Sequence, residues 1–249
     1  ALGCAAMACA GFYAELTPTA VPWALWVSAD QPLLAIDAVS APLLPLTALL
    51  HFLTALATAR TKMPRFSFSG LLAGCAVRMA AFALVAPWPI VALLALDTVL
   101  PFFELKRRGR PVRLYAIHAG LFVSLLAAGS ACVNEMGWNE VGSVLLLAAV
   151  LMRTGVVPFH VWMTDLFENG SFGTALLFAT PLVGVYAAVR LFFPVAPEWL
   201  LEALGIVGLA TAVYAAGMGV VQTSARRFFA YLFVSHAALV LVGLGLHTP

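Results

Sequence analysis

Of the 249 residues, 63% are hydrophobic and 10% are charged, and the mean hydropathy is +1.01. Soluble domains carry about 25% charged residues, so the chain lacks the charge to solvate the outside of a water-soluble fold. A net charge of +2 is also too small for a nucleic-acid-binding surface. The composition is that of a polytopic, all-α integral membrane protein surrounded by the lipid bilayer.

Ala1 is not a methionine, and the chain opens inside an apolar run with no basic stretch before it, unlike a signal peptide. Residues are expected to be missing upstream, and the apolar run into Pro249 suggests the same downstream. The cysteines (Cys4, Cys9, Cys75, Cys132) have no CxxC spacing and read as small buried residues, with no metal site. With about 20 apolar residues per span, nine transmembrane segments are predicted. They lie at 1–14, 38–59, 70–87, 88–104, 113–133, 140–159, 172–193, 199–220 and 227–246. The third and fourth are separated only by the corner Ala86-Pro87-Trp88-Pro89.

The loops test this count. Basic residues fall between segments two and three (Arg60, Lys62, Arg65), four and five (Lys106, Arg107, Arg108, Arg110, Arg113), and eight and nine (Arg226, Arg227). All lie on one side of an alternating path. The other side carries Glu15, Asp30, Asp37, Glu135, Glu140, Glu198 and Glu202, with no Lys or Arg. The positive-inside rule then puts the basic loops in the cytoplasm, as in a multi-pass protein of a bacterial plasma membrane. One loop on the basic side breaks the trend with Asp165 and Glu168.

A few charges fall within the spans: Arg78, Asp97, Arg153 and Arg190. A mid-bilayer charge costs at least about 2.5–3.5 kcal/mol, so such groups face other helices, a partner charge or water. Asp97 and Arg153 are both near mid-span and are expected to pair; Arg190 is expected to snorkel to the outer interface. His51, His118 and His236 also lie in spans. Segment six reads VLLLAAVLMRTGVVPFHVWMTD from Val144 to Asp165. Pro158 lacks an N–H and clashes with the preceding turn, so with Gly155 it is expected to interrupt the helix between Arg153 and Trp162. A broken helix with an ionisable residue at the break is a recurring device of ion transporters.

The run RTGVVPFHVWMTD, with His160, Trp162 and Asp165, resembles the broken-helix signature of the antiporter-like membrane subunits of respiratory complex I and of Mrp-type cation/proton antiporters. Three other stretches resemble that family in the same order. They are Ile36-Asp37-Ala38-Val39-Ser40, then Gly184-Val185-Tyr186 through Arg190, then Gln222 through Gly243 with Arg227, Tyr231, Ser235 and His236. The resemblance implies a fold of two inverted five-helix repeats, each with a half-channel. Residues 1–69 would be N-terminal membrane helices, 70–193 one complete repeat and 194–249 the start of the second.

Asp97 takes the position of the family's membrane glutamate, Arg153 that of its broken-helix lysine, and Leu182 that of a further lysine. Arginine does not lose its proton, so Arg153 would act as a fixed charge rather than a relay. The route, if protons move, would use Asp97, His118 and His236 with water.

The resemblance implies a membrane subunit of a larger complex, such as a quinone oxidoreductase, conducting or coupled to H⁺ or Na⁺ movement. The half-channel would centre on Asp97 and the break at Arg153–Pro158. Partners would be other membrane and peripheral subunits. No cofactor and no catalytic redox site is read in this chain. Two alternatives are the membrane subunit of an energy-coupled inorganic carbon uptake complex, and a non-conducting scaffold descended from the antiporter fold.

Overall fold

In the computed structural model, residues 25–26, 32–34, 36–37, 39–58 and 67–246 are described. The first predicted segment, with Cys4, Cys9 and Glu15, lies outside these residues, as do Asp30, Ala38, Arg60, Lys62 and Arg65. The chain divides into two compact units, Ala1–Leu100 and Pro101–Pro249.

The first unit opens on a short antiparallel pair, β1 (Leu25–Trp26) and β2 (Pro32–Leu34), which the periodicity of the sequence does not announce. Helix α1 spans Ser40–Leu56. Its start explains the Asp37/Ser40 motif. The Asp37 carboxylate accepts the backbone N–H of Ser40 at 2.9 Å and of Val39 at 3.2 Å, and the Ser40 hydroxyl accepts the Asp37 N–H at 2.8 Å. The two side chains thus satisfy orphan donors reciprocally, as in a capping box. Helix α2 covers Phe68–Ala83, capped by the Ser67 hydroxyl, and packs along α1. Helix α3 starts at Pro87, where a missing N–H costs nothing, and runs Pro87–Arg107 across the boundary of the units.

The second unit continues with α4 (Arg113–Asn134) and α5 (Asn139–Thr154). These pack closely because a Cβ on Gly142 would lie 2.5 Å from Val133 Cγ2 and 3.0 Å from the Gly129 carbonyl oxygen. Small residues are what let membrane helices approach in this way. Then come α6 (Val161–Asn169), α7 (Phe172–Ala179) and α8 (Leu182–Ala187). A π-helical turn, Ala188–Phe192, and a 3₁₀ turn, Phe193–Val195, extend α8. The long antiparallel pair α9 (Glu198–Val220) and α10 (Ala225–Gly245) completes it.

Among the described residues, five stretches are long and apolar enough to cross a bilayer: Pro87–Arg107, Arg113–Asn134, Phe172–Val195, Glu198–Val220 and Ala225–Gly245. At about 1.5 Å per residue, each exceeds the roughly 30 Å hydrocarbon core. Large apolar side chains such as Ile206, Val213 and Leu209 are exposed, while Arg78, Asp97 and Arg153 are buried. That inversion of the soluble pattern is what lipid as solvent demands.

Candidate functional site

Among the described residues of the first unit, two buried charges pair. Arg78 on α2 donates from Nε to Asp97 Oδ1 on α3 at 2.8 Å. The side chains are 9% and 1% exposed. Arg78, whose role the sequence leaves ambiguous, is thereby a partner of the mid-span acid. His51 on α1 is buried too, with Nδ1 2.7 Å from the Thr47 carbonyl.

In the second unit, α5 ends at Thr154 and the chain turns helical again only at Val161. Gly155 takes the left-handed conformation, φ +71°. The Val156 N–H reaches back to the Leu151 carbonyl at 3.0 Å and the Gly155 N–H to that of Met152 at 3.3 Å. This is the Schellman pattern of a helix end, and glycine serves because the left-handed region penalises a Cβ. A Cβ there would also meet Met163 Cε at 2.9 Å. Pro158, next in the break, is exposed. Two bonds tie the irregular stretch to its surroundings. The Trp162 indole N–H donates to the Met152 carbonyl at 2.9 Å, and the Val157 N–H to the Thr211 hydroxyl at 3.3 Å.

Arg153, in the last turn of α5, is 4% exposed. Its Nη1 donates to the Phe178 carbonyl at 2.9 Å, and its guanidinium lies 3.9 Å from the Phe178 ring centroid and 5.9 Å from that of Trp162. The Phe178 carbonyl is available because α7 ends at Ala179 and Pro181 halts the helix. A helix C-terminus carries partial negative charge, and aromatic faces attract a desolvated cation. Tyr115 closes the cage, edge-on to both Trp162 and Phe178. Phe178, Tyr115 and the second break at Thr180–Pro181 were not singled out in the sequence; Pro181 was the available signal.

The other predicted residues are more scattered. His118 is half-buried on α4, with Nδ1 bonded to its own helix at the Leu114 carbonyl. His236 is exposed on α10. His160 sits in the break with its ring 5.8 Å from both Tyr214 and Tyr231. Ser235 donates to the Ala212 carbonyl at 3.0 Å and so ties α10 to α9. Arg190 lies half-buried, 5.4 Å from the Tyr186 ring. Leu182 is the first residue of α8. Cys75 is buried near Met79, and Cys132 is half-buried.

The acidic loop that breaks the charge trend is compensated in the fold. Glu168 pairs with Arg227. Arg226 donates to the carbonyls of Phe167 at 2.8 Å, Gly170 at 3.0 Å and Glu168 at 3.3 Å, capping the C-terminus of α6. Asp165 accepts from the Asn169 amide at 2.9 Å. Glu104 accepts the Ser171 N–H at 2.9 Å and pairs with Arg108 at 2.8 Å. Residues 104–108, 165–171 and 226–227 therefore gather at one end of the second unit.

A buried cation at an interrupted helix, among helices long and apolar enough to cross a bilayer, defines a polytopic membrane protein with broken helices. The family model for the NADH:quinone oxidoreductase/Mrp antiporter transmembrane region matches residues 34–249, and the chain belongs to that family. NADH-quinone oxidoreductase subunit N of Beutenbergia cavernae is 34% identical over 128 residues, 49% of this chain and 24% of that protein. NAD(P)H-quinone oxidoreductase chain 4 of Gloeobacter violaceus is 28% identical over 243 residues, 84% of this chain and 45% of that protein. The chain spans less than half the length of these two curated relatives. A chain of the membrane-bound sulfane sulfur reductase, an archaeal respiratory membrane complex, shares the fold with a TM-score of 0.78 at 17% identity, covering 98% of this chain and 57% of that one.

Proposed function

We propose that this chain is a membrane subunit of a larger respiratory or Mrp-type complex and is coupled to H⁺ or Na⁺ movement across the bilayer. In this reading the basic loops face the cytoplasm of a bacterial cell, and residues 70–193 are one five-helix repeat. The observation that carries it is the interrupted α5–α6 element, with Arg153 buried at the break against the Phe178 carbonyl and two aromatic rings. Irregular backbone at membrane depth is tolerated only inside protein or beside a water-filled cavity. Two relatives are named NADH-quinone oxidoreductase subunit N and NAD(P)H-quinone oxidoreductase chain 4. Arg153 is then a fixed electrostatic gate, because its guanidinium stays protonated.

Proton relay falls to His118 and His236, with water between them. His236 is exposed on α10, so its role requires a partner surface that shields it from lipid. The test is ion flux through the reconstituted complex, comparing wild type, Arg153→Lys and a His118→Ala/His236→Ala double variant. The proposal expects Arg153→Lys to keep or raise flux, since lysine can deprotonate when buried, and the double variant to lose it. Arg153 and Leu182, neither of which can relay a proton, favour a second reading, a non-conducting scaffold. An intact complex with no flux in any variant selects that reading.

A further inference from the structure

We propose that the turn joining α3 to α4 binds the headgroup of an anionic phospholipid. Lys106, Arg107, Arg110 and Arg113 supply the cations, and Phe103, Ile117 and Leu121 seat its acyl chains. The inference stands apart from ion movement.

Basic residues at this end of the second unit fall into two groups. Three are engaged inside the fold. Arg108 pairs with Glu104 at 2.8 Å, Arg227 pairs with Glu168, and Arg226 donates to the carbonyls of Phe167, Gly170 and Glu168. Lys106, Arg107, Arg110 and Arg113 are exposed, and none of them pairs with a carboxylate among the described residues.

The turn holds these four close together. Gly109 takes φ +64°, and the Arg110 N–H donates to the Leu105 carbonyl at 3.0 Å. Like charges so placed repel one another. Arg113 also begins α4, at the positive end of its dipole, with no acidic residue in the first turn. A cation is unfavourable there unless an anion lies near.

The apolar surface beside the charges identifies the anion as a lipid. Residues four apart share a helix face. Phe103 stands four residues before Arg107 on α3, and Arg113, Ile117 and Leu121 repeat at that spacing on α4. Phe103, Ile117 and Leu121 are 53%, 48% and 45% exposed, on stretches long and apolar enough to cross a bilayer. Each stripe therefore ends in a cation at headgroup height, its stem free to snorkel. The orientation rule asks only that such cations lie on one side; it does not ask that they continue an apolar stripe. A soluble phosphate compound would use the charges and leave the stripes idle. Basic clusters beside membrane helices attract anionic lipid.

The experiment uses the assembled complex containing the full chain, in nanodiscs of equimolar phosphatidylglycerol and phosphatidylcholine. The photo-cross-linking residue benzoylphenylalanine replaces Ile117 or, for comparison, the exposed Val213 of α9. Mass spectrometry of the irradiated chain identifies what is attached. Phosphatidylglycerol should exceed phosphatidylcholine at position 117 by about fivefold or more, the enrichment one basic residue gives near a membrane surface, and at position 213 the two should be nearly equal. In Lys106→Gln/Arg107→Gln/Arg110→Gln/Arg113→Gln the ratio at 117 should fall to near that at 213. Sodium phosphate and sodium chloride of equal ionic strength should lower it equally, by screening. Equal ratios at 117 and 213 in wild type overturn the proposal, and do so even if the fourfold variant fails to assemble. An assembled fourfold variant with an unchanged ratio also overturns it. So does a selective loss in phosphate, which marks a small-anion site, or cross-linking at 117 to a protein subunit in place of lipid.

Discussion

Two buried arginines are held by different chemistry, and substitutions should distinguish them. Arg78 faces a full negative charge on Asp97. Arg153 meets a helix-end carbonyl and two ring faces in its own unit. Removing one partner of a buried ion pair leaves the other charge uncompensated, at a cost of about 3–5 kcal/mol, whereas replacing both by apolar residues is often near neutral. Asp97→Ala should therefore lower the thermal midpoint of the assembled complex in detergent markedly. Asp97→Asn, which keeps an acceptor for Arg78, should lower it less, and Arg78→Leu/Asp97→Leu should recover most of the loss. A double variant as unstable as Asp97→Ala would refute the independence of this pair from its surroundings. At Trp162, the Phe variant keeps the ring beside Arg153 but leaves the Met152 carbonyl without its indole donor. A lost hydrogen bond of that kind costs about 0.5–1.5 kcal/mol, so Trp162→Phe should be measurably but mildly destabilised in the same assay.

At the scale of elements, helix existence was legible and helix interruption only partly so. The apolar runs of the sequence anticipate α1 to α5, α9 and α10 to within a few residues, because a span must bury about 20 consecutive residues in lipid whatever its neighbours do. The stop of α5 is local chemistry at Gly155, whose positive φ a side chain resists. Gly155→Ala should accordingly cost about 1–2 kcal/mol for the left-handed backbone, with more for the approach to Met163. Gly120→Ala, on α4 with open space around it, should be neutral or slightly stabilising, since alanine is the better helix former. Equal effects of the two substitutions would show that the break does not depend on the glycine. The predicted single span at 172–193 is instead α7, α8 and a π-helical turn. Pro181 forces that division, and the freed Phe178 carbonyl then becomes a ligand of Arg153.

At the scale of the molecule, the cluster of Glu104, Arg108, Glu168, Ser171, Arg226 and Arg227 ties three loops to one end of the second unit. α9 runs from Glu198 to Val220, just before that cluster, so its first residue lies about 35 Å away at 1.5 Å per residue. Single cysteines placed at Lys106 and at Glu168, in a background without the native cysteines, should react with an impermeant label from the same side of the membrane. One at Glu198 should react from the other. Labelling of positions 106 and 198 from one side would refute the path. By itself the sequence determined that the chain is a helical membrane protein, where most of the described helices lie and which family it joins. Lipid imposes long apolar runs, and the motif around Pro158 is dense in unusual residues. Only the tertiary structure decided that Arg78 pairs with Asp97, that Phe178 and Trp162 flank Arg153, and that Arg227 pairs with Glu168 while Arg226 caps the end of α6. Those partners are 19 to 59 residues apart in the chain in the bonds that define them. Which side chains meet across such distances depends on how helices rotate and pack, which no local periodicity encodes.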